Sequence, residues 1–151
     1  MELSESIIIN RSASAVFEYY TDFSRHPEFI HLLEETQILT DGELGVGSEF
    51  LQIGEAIIGG DLKMHSKVTA FSIDERVTSI TIDGGNQIEQ DLQIEPLDEQ
   101  TAKVTYTTRV FPPKSIFGRV TSMVGGLLKS QVSERMKKDM LQFKANLEAS
   151  S

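Results

Sequence analysis

Residues 61–70 read DLKMHSKVTA, and the stretch alternates without a break. Leu62, Met64, Ser66, Val68 and Ala70 fall on one side, and Asp61, Lys63, His65, Lys67 and Thr69 on the other. Successive side chains of a strand point to opposite faces, so this is a β-strand with one apolar face and one wet face. A sheet built from such strands has to cover its apolar face. The sequence on either side of this strand shows what the cover is.

Downstream, Asp74-Glu75 turns the chain into a strand over Val77–Ile82, and Asp83-Gly84-Gly85-Asn86 is a hairpin signal. Ile88, Gln90, Leu92 and Ile94 then face one way, with Glu89, Asp91, Gln93 and Glu95 opposite. A turn at Leu97-Asp98-Glu99 leads to Ala102, Val104, Tyr106, Thr108 and Val110 on the inner side. Lys103, Thr105, Thr107 and Arg109 take the outer side. Upstream, Ser48–Ile53 and the short Gln37-Ile38-Leu39 are strands joined by a glycine-spaced loop from Asp41 to Gly47. Either Gly54-Glu55 or Gly59-Gly60 makes the turn into residue 61. At the N-terminus Leu3–Ile9 reads as a strand, and Ser12 caps a helix over Ala13–Thr21 with Val16, Phe17 and Tyr20 on one face. Asp22 and Ser24 cap a second short helix, with Pro27 in its first turn and Phe29, Ile30 and Leu33 as its apolar side.

Pro112-Pro113 ends the sheet, and from Ser115 to about Glu148 the period becomes helical, through Ile116, Val120, Val124, Leu128, Val132, Met136, Met140, Phe143 and Leu147. Gly125-Gly126 interrupts this stripe, where a kink or a break is expected. At 1.5 Å per residue such a helix reaches about 50 Å, enough to cross a small sheet. The expected architecture is α+β: a curved seven-stranded antiparallel sheet wrapped around a long C-terminal helix, with two short helices after strand 1. Residues 1–151 form one domain in this reading. Side chains diverge from a concave face, so a cavity is expected between sheet and helix.

The absence of cysteine excludes disulfides, thiol catalysis and zinc–thiolate sites. A net charge of −9 argues against nucleic acid as a partner. Residues 101–151 nevertheless carry 9 basic and 3 acidic side chains, against 5 and 20 in residues 1–100. This division fits a basic helix lying against an acidic sheet. No run approaches the roughly 20 apolar residues of a membrane span, and no basic leader opens the chain, so a cytoplasmic protein is expected. The sequence leaves the oligomeric state, monomer or dimer, open.

Residues 5–30, ESIIINRSASAVFEYYTDFSRHPEFI, and the closing ERMKKDMLQFKANLEAS carry a resemblance. The chain resembles the Bet v 1-like, START-related superfamily, in particular its polyketide cyclase/dehydrase-type bacterial members. Val16, Phe17, Asp22, Pro27, Gly45, Gly47 and Phe50 hold the places of that family's opening helix pair and glycine-bearing strand. Phe29 departs from it, standing where many relatives have tryptophan, a residue this chain lacks. The resemblance implies a helix-grip fold and a carrier, sensor or modest catalyst for lipids, polyketides, sterols, hormones or flavonoid-like molecules.

Chemistry-bearing motifs are few. His65 lies on the wet face of its strand, and His26 and His31 are not spaced as metal ligands, so neither metal nor cofactor is expected. There is no GxSxG elbow, phosphate-binding loop or dinucleotide fingerprint, and the carboxylates of the clear strands point outward. The inward polar residues Ser66, Gln90, Tyr106 and Thr108 either bond to neighbours or orient a ligand. Apolar walls are expected from Leu62, Met64, Ile80 and Leu92 on the sheet and from Val120, Val124, Leu128 and Met136 on the helix. Gln90, Tyr106 and Thr108 would add polar contacts, with His26, Gly125 and Gly126 at the pocket mouth. The expected function is binding of a hydrophobic small molecule, lipid- or polyketide-like. The alternatives are a polyketide cyclase or dehydratase using Tyr106 or His26 for proton transfer, and a protein-interaction module with an incidental cavity.

Overall fold

The computed structural model describes residues 1–56, 59–82, 87–111 and 117–150, with side chains of the last helix described from residue 129 onward. Strand β1 (Glu2–Ile9) leads into α1 (Ala13–Thr21) and a 3₁₀ helix (Phe23–Glu28). Six strands follow: β2 (Leu33–Ile38), β3 (Glu49–Glu55), β4 (Asp61–Ser72), β5 (Arg76–Thr81), β6 (Gln87–Asp98) and β7 (Thr101–Phe111). The chain closes with α2 (Phe117–Ala149). Among the described residues the seven strands form one antiparallel sheet in the order β1-β7-β6-β5-β4-β3-β2. This is a meander whose first strand returns beside its last. It is the expected helix-grip arrangement.

Local chemistry explains the elements. The Ser12 hydroxyl accepts from the Ala15 amide at 3.1 Å and starts α1, whose Val16, Phe17, Tyr19 and Tyr20 are buried. Pro27 sits inside the 3₁₀ helix, and this tight turn is the expected second short helix. The end of α2 is tied to this N-terminal region. Asn146 donates to the Tyr19 hydroxyl at 3.0 Å and to the Glu28 carbonyl at 3.1 Å, and Arg11 donates to the Leu147 carbonyl at 2.7 Å. Phe143 and Leu147 of α2 join Ile9, Val16, Phe23, Phe50, Val68, Leu92 and Val104 in the core.

Three expectations change, and the choice between two turns is settled. Strand β2 begins at Leu33, not Gln37, so Leu33 belongs to a strand and not to the second helix. The polar run Glu34-Glu35-Thr36 and a register shift between Leu33 and Glu35 conceal the alternation. Gly54 lies within β3, and the turn is made by Gly59 and Gly60, both at positive φ (91° and 86°). Gly54 is required for close approach, because a Cβ there would lie 2.1 Å from the Leu32 carbonyl oxygen. In β4 a bulge between Val68 and Ala70 reverses the parity. Ala70 therefore turns outward and Phe71 packs inward, its ring 5.3 Å from Phe17. Finally, Ile80 pairs with Lys67 and Glu89, while Val77 and Ser79 pair with Leu92 and Gln90. Cross-strand partners share a face, so Ile80 faces outward and is no part of the inner wall. The 83–86 hairpin signal and Pro112-Pro113 lie outside the described residues. Gly125 and Gly126 fall within the single span of α2.

The outer face of the sheet carries a closed polar network. Asp91 is fully buried there (0% exposed). It accepts from Arg76 at 2.9 and 3.1 Å, from the Thr78 hydroxyl at 2.8 Å and from Gln93 at 3.0 Å. Burial alone would raise its pKa, but the hydrogen bonds from Arg76, Gln93 and Thr78 outweigh burial and hold it below the ordinary carboxylate value.

Candidate functional site

The alternation of β3, β4, β6 and β7 and the apolar stripe of α2 meet across a cavity of about 500 Å³. Strand β6 contributes Ile88, Gln90 and Leu92, and β7 contributes Tyr106, Thr108 and Val110. Gln90 lies opposite Thr108 and Leu92 opposite Tyr106, so the pairing register gathers the polar residues into one patch. Leu62 and Met64 enter from β4, and Phe50 and Gln52 from β3. Helix α2 covers them with Val132, Met136, Met140 and Phe143. Tyr20 from α1, with His26 and Phe29, closes the wall next to the aromatic core.

Two phenols share this space. Burial pushes the Tyr20 hydroxyl far above its usual range. Burial also holds Tyr106 well above it, helped by the neighbouring Tyr20 and the charge of Asp139, against a hydrogen bond with the Thr108 side chain. Both stay protonated at neutral pH and can donate a hydrogen bond. Charged residues of the lining are Glu55, Arg135 and Asp139. The Asp139 carboxylate accepts from both the backbone amide of His31 (3.1 Å) and its Nδ1 (2.5 Å). That pair joins the segment after the 3₁₀ helix to α2 at the border of the cavity.

His26 is 2% exposed and packed against Phe23, Tyr20 and Phe29, with ring centroids 4.5, 5.0 and 5.4 Å away. Its Nε2 lies 2.7 Å from the Tyr20 carbonyl oxygen. Burial lowers its pKa to about 4, against the opposing effect of that hydrogen bond. The imidazole is therefore neutral at pH 7. His26 is a buried wall residue, not the surface mouth the sequence suggests.

Of the residues singled out from sequence, Leu62, Met64, Gln90, Leu92, Tyr106, Thr108, Met136 and His26 line this cavity. Ile80 does not, because it faces outward. Ser66 is buried beside the site but is not among its lining residues. Val120, Val124, Leu128, Gly125 and Gly126 lie outside the described side chains. Sequence reasoning missed Gln52, Ile88 and Val110 as lining, although each lies two residues from an inward neighbour on its strand. It also missed Arg135 and Asp139, for which no sequence signal existed. Glu5 of β1, outside the evenly alternating strands, is a carboxylate on the inner side. It pairs with inward Tyr106 and meets Ser133 (3.5 Å) and Lys137 (3.9 Å) of α2. Among the described residues, no group of His, Asp and Glu is arranged to hold a metal, and no helix is long and apolar enough to cross a membrane.

The family model described as polyketide cyclase/dehydrase and lipid transport matches residues 1–148. A search of curated proteins returns no match. Solved structures share the fold. A Thermus thermophilus protein is 14% identical with a TM-score of 0.80, the alignment covering 100% of this chain and 99% of that one. A START superfamily protein from Mycobacterium smegmatis is 16% identical with a TM-score of 0.79 and 99% of both chains covered. The ZhuI aromatase/cyclase from a Streptomyces species is 11% identical with a TM-score of 0.79, covering 98% of this chain and 93% of that one.

Proposed function

The chain belongs to the polyketide cyclase/dehydrase and lipid-transport family, and on that premise we propose that it binds a hydrophobic, lipid- or polyketide-like small molecule between its sheet and α2. One observation carries the reading: a cavity of about 500 Å³ with a mainly apolar wall and a few converging polar groups. That volume lies within the range of small-molecule sites. Leu62, Met64, Leu92 and Met136 contact the apolar body of the ligand, while Gln90, Tyr106 and Thr108 orient its polar group. The phenols of buried Tyr20 and partly buried Tyr106 donate, and no described lysine lines the cavity. A second reading, cyclisation or dehydration of a polyketide chain, draws support from Tyr106 and His26 bordering one space. It assigns Tyr106 as proton donor and neutral His26 as acceptor.

Native mass spectrometry of freshly purified protein, compared with its denatured mass, tests the binding reading. An added mass of lipid or polyketide size that disappears on denaturation is the expected result. A clean mass that stays clean after incubation with fatty acids, sterols and aromatic polyketides would refute it. Turnover of an aromatic polyketide precursor, absent with Tyr106→Phe, would move the assignment to the enzyme.

A further inference from the structure

His26 has two ring nitrogens, and the structure accounts for one. Nε2 lies 2.7 Å from the Tyr20 carbonyl oxygen, which only accepts, so Nε2 carries the hydrogen. The imidazole is neutral, so Nδ1 is a bare acceptor. It is sealed from solvent and has no hydrogen-bond partner among the described residues. A buried polar atom without a partner costs about 1–3 kcal/mol. The surround does not relieve this cost, since Tyr20, Phe23 and Phe29 present aromatic rings to the imidazole. The same ring is a wall of the cavity, alongside Tyr20, Phe29 and Gln52.

We propose that His26 Nδ1 is the acceptor for a hydroxyl group of the bound ligand, which selects neutral O–H donors such as phenols, enols or alcohols. The proposal deepens the binding reading above and rests on it. The donor class follows from the setting. An ammonium group would have to leave water for a mainly apolar space, and a carboxylic acid ionised at neutral pH has no hydrogen to give. A carbonyl or ether oxygen cannot serve either, because Nδ1 accepts only. Nδ1 has no accessible surface in the structure, so the proposal requires the imidazole to turn toward the cavity when the ligand binds.

Ligand-stripped protein is titrated with 2-naphthol and with 2-methoxynaphthalene, which share a ring system but differ in the donor hydrogen. The wild type is expected to bind 2-naphthol about tenfold more tightly, the worth of one buried hydrogen bond. His26→Phe, which keeps an aromatic ring without the acceptor, is expected to bind both equally. Nitrogen-15 NMR of labelled histidine checks the same point in the wild type, independent of whether the variant folds. Nδ1 is expected to show an unbonded acceptor in the stripped protein and a hydrogen-bonded one with 2-naphthol alone. Equal affinities in the wild type with an unmoved Nδ1 signal would overturn this inference and leave the binding reading intact. So would an Nδ1 already hydrogen-bonded in the stripped protein, the signature of a buried water. Failure of both probes to bind would overturn the inference and count against the binding reading too.

Discussion

Gln90 and Asp91 are adjacent in β6 and belong to opposite faces of the same sheet. Asp91, on the outer face, is completely enclosed, and its carboxylate accepts four hydrogen bonds from Arg76, Thr78 and Gln93. Gln90, on the inner face, borders a cavity with Thr108 and Tyr106. The neighbouring strand repeats the division. The Thr107 hydroxyl is bonded to Ser4 at 3.0 Å on the outside, while Thr108 meets Tyr106 on the inside. The outer face uses polar groups to hold strands together. The inner face sets Gln90, Tyr106 and Thr108 along the wall of the cavity. His26 Nδ1, on the same wall, is an acceptor with nothing to accept from among the described residues.

The largest effect expected from breaking this division is on stability, at the outer face. Asp91→Ala leaves Thr78 and Gln93 without their acceptor and Arg76 without its counter-charge. We expect a loss of about 3 kcal/mol in urea denaturation, tempered because Arg76 is half-exposed and can rehydrate. Affinity for 2-naphthol should stay within about twofold of wild type, measured by calorimetry. A comparable loss of binding would mean that the faces are not independent.

Acid should sharpen the division, because it reaches the two faces in sequence. The pKa of His26 falls from 6.5 to about 4 on folding, so between those values the unfolded chain holds a proton that the native protein refuses. Stability is therefore lost as pH falls through this window, by up to about 3 kcal/mol, and the contribution levels off below it. The Asp91 pKa is depressed below 3.8, so its contribution is lost only at still lower pH. The urea midpoint of the wild type should therefore fall relative to that of His26→Phe as the pH drops from 7 to 4. Parallel pH profiles would remove His26 from the account.

The smallest stability effect belongs to the inner face. Tyr106→Phe removes one hydroxyl, and Thr108 can bond locally in its place, so stability should change by less than about 1 kcal/mol. Ligand affinity should fall about tenfold. Unchanged affinity in a folded variant would show that the polar patch does not orient the ligand.

How much of this was legible from sequence depended on whether a residue's surroundings were local. The strands at 61–70, 88–95 and 102–110 could be read because alternation is a property of consecutive residues. The same parity placed Leu62, Met64, Gln90, Leu92, Tyr106 and Thr108 on one face. It failed at Ile80 and Ala70. Ile80 sits in VTSIT, where apolar and hydroxyl residues do not separate cleanly. Ala70 follows a bulge that only its partner strand reveals. Gly54 looked like a turn residue, because glycine's need for space and its freedom of φ give the same letter. Asp91 read as a solvated outer carboxylate, and nothing near it in sequence announced that Arg76 and Thr78 would bury it.

The sequence by itself determined the class of fold and the facing of residues in the evenly alternating strands around 62–68, 88–94 and 102–110, because a period of two is local to the chain. Tertiary structure alone decided that His26 is buried and neutral with one nitrogen unused, that Asp139 of α2 meets His31, and that Asp91 is enclosed. Each of those depends on atoms brought together from distant parts of the chain. Burial, desolvation and hydrogen-bond satisfaction arise only once those atoms meet.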